Sequence, residues 1–337
     1  LIIALLYISI FYGVSGIING IYYNPTSVNV SEKEEYRRSN FYFDMQAYVS
    51  LNKPGYSSSF TMEDPKGFGK YETMYSLRNL FSKEEGMHFM NISRGRLTYG
   101  IDGIFGSKNY WLFEGFQTIQ HAFSEETSED TDPGWGKEIQ RNNEETIRYL
   151  NELNPLSYIS MSIVFQEDIT MEEFWNMSNE EYPLINFKWL GIRTADPATK
   201  PMHLIGFNPS FTDEGSHSQR PDFNKYPLFY LYDMREDESL AKLSRKDYPK
   251  AISQAYEIHF KSRLEYLKNR GQFVDMFDFK GEFYNSALSY IDENGVKTYG
   301  VLAYAKAEDF LEHIEDIPYD SIYINQVLPA KPNLYYH

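Results

Sequence analysis

A chain of 337 residues with 42% hydrophobic and 17% aromatic side chains is long enough to bury a core and too rich in rings for a disordered polypeptide. Its 32 basic and 48 acidic residues give a net charge of -16, which repels polyphosphate backbones and argues against nucleic-acid binding. With no cysteine, the chain has no disulfide, thiolate zinc site, iron–sulfur cluster or cysteine nucleophile.

The stretch from Leu1 to Tyr23 carries no charged residue and is long enough to cross a bilayer, for which about 20 apolar residues suffice. Tyr22 and Tyr23 fall where an interfacial aromatic belt is expected, and Asn24-Pro25 reads as a helix stop. A signal peptide or a buried core helix is the alternative, although the basic leading region of a signal peptide is missing. Residues 1–23 are therefore expected to span the lipid bilayer once, with residues 24–337 extracytoplasmic in the cell membrane. Gly16 and Gly20 form a small-xxx-small pair that lets two such helices approach closely. The chain does not begin with Met, so further residues are expected upstream of Leu1.

Residues 24–40 are mostly polar and aperiodic, as in a juxtamembrane linker. From 41 to 123 the pattern changes to short aromatic runs that read as strands: FYFDMQAYVSL (41–51), YETMYSLRNLF (71–81), RGRLTYGI (94–101) and NYWLFEGFQTI (109–119). In the first of these, Phe41, Phe43, Met45, Ala47 and Val49 alternate as a half-buried strand requires. Residues 124–135 form an acidic, turn-rich boundary, read as a solvated loop because the oxygen-ligand spacing of a calcium loop is absent.

The second region, 136–330, opens with a helix expected over 136–154 and ended by Pro155. Strand, short helix and strand follow at 157–165, 170–177 and 185–193. A long amphipathic helix is expected from Tyr248 to Arg270, where Ile252, Tyr256, Phe260, Leu264 and Leu267 form a stripe, and a further helix over 280–291. The order strand, helix, strand then recurs at 298–305, 308–314 and 321–327. Each unit opens its helix on an acidic pair and a phenylalanine: Glu172, Glu173 and Phe174, then Glu308, Asp309 and Phe310. The fold class is thus α+β, with an N-terminal transmembrane helix, a β-rich region and a pseudo-duplicated, ferredoxin-like strand-helix-strand region whose helices pack on one sheet face. Trp189 and Tyr299, in the most apolar runs, are expected on central strands of that sheet.

Residues that could carry chemistry do not assemble. His88, His121, His203, His217, His259, His313 and His337 lack metal-site spacing, and no Gly-x-Ser-x-Gly elbow exists. GFGK at 67–70 lacks the spacing of a phosphate loop, and Gly100, Gly103 and Gly106 do not join a strand to a helix. The basic cluster Lys246, Lys250, Lys261, Arg263, Lys268 and Arg270 reads as a solvated helix face. No catalytic, cofactor-binding or metal residue is assigned, no cofactor is expected, and the chain is read as non-enzymatic.

Four segments resemble the bacterial sigma factor regulator family of membrane-bound anti-sigma factors: YYNP (22–25), LNKPG (51–55), INFKWLGIRT (185–194) and VKTYGVLAYAKAEDFLEHIEDIPYDSIYINQV (296–327). The last is the most specific. The resemblance implies a cytoplasmic head that sequesters an extracytoplasmic-function sigma factor, one span, and an outer domain responding to an envelope signal. The head is missing from these residues, so sigma binding is expected upstream of Leu1, and the envelope ligand or protein is unknown. A membrane-anchored envelope enzyme or ligand-binding protein is the alternative.

Overall fold

Seven stretches of the chain are described in the computed structural model: residues 13–28, 38–99, 134–196, 203–212, 220–235, 248–277 and 281–330. Residues 13–21 are helical (α1), the second half of the apolar N-terminal stretch. Among the described residues no helix is long and apolar enough to cross a membrane, and residues 1–12 lie outside them.

The run FYFDMQAYVSL, expected as a strand, is instead a helix, α2 (Asn40–Asn52). All thirteen of its residues are buried, so no polar side marks a helical period, and strand-like alternation is satisfied by default. Its ends carry the signal that the interior lacks. Ser39 caps the N-terminus by accepting from Tyr42 N at 3.3 Å, and Lys53-Pro54-Gly55 stops the helix, with Gly55 at φ 75°. A Cβ on Gly55 would lie 2.6 Å from Tyr304 Oη, so both the turn and the close approach require glycine there.

Five antiparallel strands follow: β1 (Tyr56–Ser57), β2 (Thr61–Gly67), β3 (Lys70–Asn79), β4 (Glu85–Ser93) and β5 (Arg96–Tyr99), in the order β1-β3-β4-β5 with β2 also beside β3. The two-residue turns Phe68-Gly69 (φ 52° and 71°) and Arg94-Gly95 (φ 49° and 70°) have the positive dihedrals that match hairpin twist. β3 and β5 coincide with expected strands, whereas β2 and β4 were not anticipated. The run NYWLFEGFQTI and residues 124–133 lie outside the described residues; Gly134 and Trp135, expected in the acidic loop, open the next helix.

That helix is α3 (Gly134–Glu152). After it come β6 (Tyr158–Thr170), α4 (Met171–Asn176) with a π turn at Met177–Glu181, β7 (Asn186–Ile192), β8 (Gly206–Phe207), α5 (Tyr248–Lys268), α6 (Gly281–Asn294), β9 (Lys297–Lys306), α7 (Ala307–His313) and β10 (Tyr319–Leu328). The strands form a second antiparallel sheet in the order β10-β6-β9-β7-β8. The units β6-α4-β7 and β9-α7-β10 interleave, each straddling one strand of the other, which is the split β-α-β arrangement of the ferredoxin-like expectation. The helices α5 and α6 and the edge strand β8 are inserted between the units. α3 lies along β10, where Asn143 donates to Asp320 O at 2.8 Å and accepts from Ile322 N at 3.0 Å, shielding a sheet edge.

Thr170 begins α4 with a capping box: its Oγ1 accepts from Glu173 N at 3.2 Å, and Thr170 N donates to Glu173 Oε2 at 2.7 Å. Donation to Glu173 Oε2 from Thr170 N, and from Thr170 Oγ1 at 2.8 Å, holds the Glu173 carboxyl below its ordinary range. Removing the cap by Thr170→Ala is expected to cost about 1 kcal/mol in urea unfolding; an unchanged midpoint would mean that the tertiary packing of Phe174, rather than the cap, fixes the start of α4.

The helices do not leave one sheet face bare. Trp189, Tyr299, Leu302 and Tyr304 form a second core cluster with Leu80 and Phe81, contributed by the β3–β4 turn of the first sheet. Phe81 stacks on Tyr158 at 5.3 Å and meets Tyr304 edge-on at 4.9 Å. The two sheets therefore share buried surface. Trp189 and Tyr299 lie on β7 and β9, 1% and 0% exposed, as the sequence led one to expect.

Candidate functional site

The basic cluster assigned to a solvated face of α5 divides in the structure. Lys250 is exposed, Lys246 lies outside the described residues, and Arg263 is buried. His259, Ser262 and Arg263 reach from α5 to successive carbonyls of a strained turn: His259 Nδ1 to Leu228 O at 2.8 Å, Ser262 Oγ to Pro227 O, and Arg263 Nε to Phe229 O at 3.0 Å. Leu228 has φ 52°, so these bonds hold a conformation that its side chain disfavours.

Arg270, just beyond α5, meets a carboxylate that the sequence reading did not single out. Asp44, at the heart of α2, is 0% exposed. It accepts from Tyr23 Oη at 2.6 Å, from Tyr266 Oη at 2.8 Å, and from Arg270 Nε and Nη2 at 2.7 and 2.8 Å. Tyr266 and Arg270 are four residues apart at the end of α5, so their side chains emerge on one side. The fork of Arg270 fits a carboxylate bidentately, and two phenols complete the oxygens' coordination. Burial alone would disfavour the Arg270 charge, but Asp44 outweighs it and raises the guanidinium above its ordinary value. Burial, then Asp44, pushes the Tyr266 hydroxyl well up. The one isolated carboxylate in the aromatic run of 41–51 was the available signal, hidden while that run read as a half-exposed strand.

Tyr23 brings the N-terminal segment into this centre. Ser15 accepts from Phe68 N at 2.9 Å and Asn19 from Gly69 N at 3.0 Å, docking α1 on the β2–β3 turn, while Gln272 donates to Ile21 O at 3.0 Å. The ring of Phe273 packs on Tyr23 and Tyr48 at 5.6 and 5.9 Å. The outward side of α1 carries Ile17 and Ile21 exposed, together with Gly16 and Gly20, beside which an added Cβ would meet nothing within 4 Å. The four-sided centre thus fastens the end of the apolar stretch to α2 and to α5.

Lys53, where α2 ends, is 2% exposed and lies over the Tyr56 ring at 5.2 Å. Burial pushes its ammonium down to about 7. An unfolded lysine, ordinarily near 10.4, binds a proton across the interval in which the folded one does not, so stability rises with pH from about 7 toward 10, falls back as pH drops toward 7, and is flat below that, where both states are protonated. The denaturation midpoint of the parent is expected to rise between about pH 7 and 9, below the range in which unfolded tyrosines titrate. Lys53→Met should be more stable than the parent at pH 7 and lack this slope; a flat parent profile would show Lys53 charged in the fold.

The histidines remain dispersed: His88 stacks on Tyr75, His203 meets Phe283, His259 is buried on α5 and His313 meets Tyr182. His121, His217 and His337 lie outside the described residues, and no group of metal-ligating side chains occurs among those described.

The structure is thus an α+β domain built on a split β-α-β sheet, in which a buried ionic centre ties the N-terminal helix to α2 and to the inserted helix α5. Residues 150–317 match the family described as sigma factor regulator C-terminal, and the chain is a member of the sigma factor regulators. No curated protein and no solved structure matches it. The matched region contains Tyr266 and Arg270 but neither Tyr23 nor Asp44, so the ionic centre ties the family region to residues that precede it.

Proposed function

We propose that this protein is a membrane-anchored anti-sigma factor controlling an extracytoplasmic-function sigma factor. In this reading residues 1–23 are the anchor, whose C-terminal end leaves the bilayer as α1 to dock on the β2–β3 turn; residues 24–337 lie outside the cytoplasm and receive an envelope signal, and the sigma factor is bound by residues preceding Leu1. The family supports the regulatory role, and the charge-free run Leu1 to Tyr23 supports the anchor.

The observation that carries the proposal is the Asp44 centre. The last residue of the apolar stretch, Tyr23, shares a carboxylate with the end of α5. A shift of α5 against α2 breaks or remakes bonds to Tyr23, and so reaches the anchor without any catalytic step. Coupling of this kind requires two arrangements of the centre, one favoured by the signal. In cells carrying a sigma-dependent reporter, Asp44→Asn in the natural protein is expected to alter basal output at unchanged protein level. Unaltered output at that level would remove the coupling role. Salt-resistant, stoichiometric retention of a sigma factor by residues 41–337 alone would overturn the division of labour, since attraction between exposed charges is screened at physiological salt.

A further inference from the structure

Beside the Asp44 centre is a cavity of about 430 Å³, within the range of small-molecule sites. One wall is the segment leaving α1, with Asn19, Tyr22 and Asn24; the other is the end of α5 and the turn after it, with Asn269, Arg270 and Gln272. Arg270 is the one charged residue lining it, and that charge is already balanced by Asp44 behind it. In a chain of net charge -16, the cavity is electrically neutral.

The amides lining it are half used. Asn19 Oδ1 accepts from Gly69 N and Asn24 Oδ1 from Thr26, leaving two Nδ2 donors with no partner among the described residues. Asn269 Nδ2 donates to Glu265 and Gln272 Nε2 to Ile21 O, leaving two carbonyl acceptors. The lining thus presents both donors and acceptors, those of Asn269 and Gln272 from its exposed rim, and this suits hydroxyl groups, each of which donates and accepts. The half-exposed ring of Tyr22 offers an apolar face beside them. Gly20 and Gly271 line the same space, and a Cβ on either would meet nothing within 4 Å.

We infer that this cavity binds an uncharged saccharide of about disaccharide size, free or as a glycolipid headgroup, clamped between the segment leaving α1 and the end of α5. The inference deepens the proposed function, since it names the chemistry of the signal, and it rests on that reading only for what binding means. Binding itself is measured without a sigma factor.

The full 337-residue chain in phosphatidylcholine nanodiscs is titrated calorimetrically with N,N′-diacetylchitobiose, cellobiose and maltose, and with inorganic phosphate. At least one disaccharide is expected to bind, and phosphate not to compete. Tyr22→Ala, which removes the exposed ring face, and Gly271→Val, which fills the space while leaving every amide in place, should each weaken binding at least tenfold with an unchanged melting temperature. Adding diglucosyldiacylglycerol to the discs separates the two sources: competition assigns the site to a lipid headgroup, and its absence to a free sugar. Absence of binding by all three disaccharides, displacement by phosphate, or affinity indifferent to both substitutions would each overturn the inference. Binding that passes these tests while the reporter ignores the sugar would leave the site standing and remove the regulatory reading.

Discussion

Asp44→Ala is expected to destabilise the folded protein by about 3–5 kcal/mol, the cost of removing one partner of a buried ion pair. The loss comes less from the bonds themselves than from what they leave behind. The Arg270 side chain is 19% exposed and would keep its charge without a counterion, and the hydroxyls of Tyr23 and Tyr266 would lose their acceptor in a buried site. Arg270→Met in the Asp44→Ala background should recover part of the loss, because an apolar side chain of similar length leaves no stranded charge. Denaturant unfolding of the parent, both single variants and the double variant measures the coupling. Additivity of the two single effects would show that water, rather than Asp44, solvates Arg270.

Trp189→Ala is expected to cost about 3–5 kcal/mol through lost burial and a residual cavity. The indole is 1% exposed, packs in the cluster that joins the second sheet to Leu80 and Phe81, and donates from Nε1 to Ser50 O of α2 at 3.0 Å. Truncation therefore also strands a helix carbonyl. Because the contacts bridge the two sheets, the denaturation should remain a single transition in the parent and broaden in the variant if the sheets begin to unfold separately. A melting temperature within a degree or two of the parent would mean that the sheets are held together without this cluster.

The two charged partners of the buried centre were unequally visible. Arg270 was noted for its charge but assigned to solvent, because a cation at the end of an amphipathic helix is usually hydrated. Asp44 was embedded in a run whose period favoured a strand, and a strand would have turned it outward. Neither partner points to the other across a separation of 226 positions. The capping residue Ser39 and the Lys53-Pro54-Gly55 stop were the local marks of helix α2, and they outweigh alternation once every side chain is buried.

By itself the sequence determined what short-range physics controls. The helices α3 to α7, the strands β6, β7, β9 and β10, and the repetition of strand, helix and strand follow from apolar periodicity, capping residues and turn residues within some twenty positions of one another. The charge-free N-terminal run and the family likeness were legible in the same way. Tertiary structure alone decided which strand lies beside which, that α2 is enclosed on all sides, and that the β3–β4 turn closes the second sheet. It also decided that Tyr23, Asp44, Tyr266 and Arg270 meet at one carboxylate. The physical reason is that a buried charge requires a partner, but any suitably placed residue of the chain can supply it, and only packing brings a particular one within hydrogen-bonding distance.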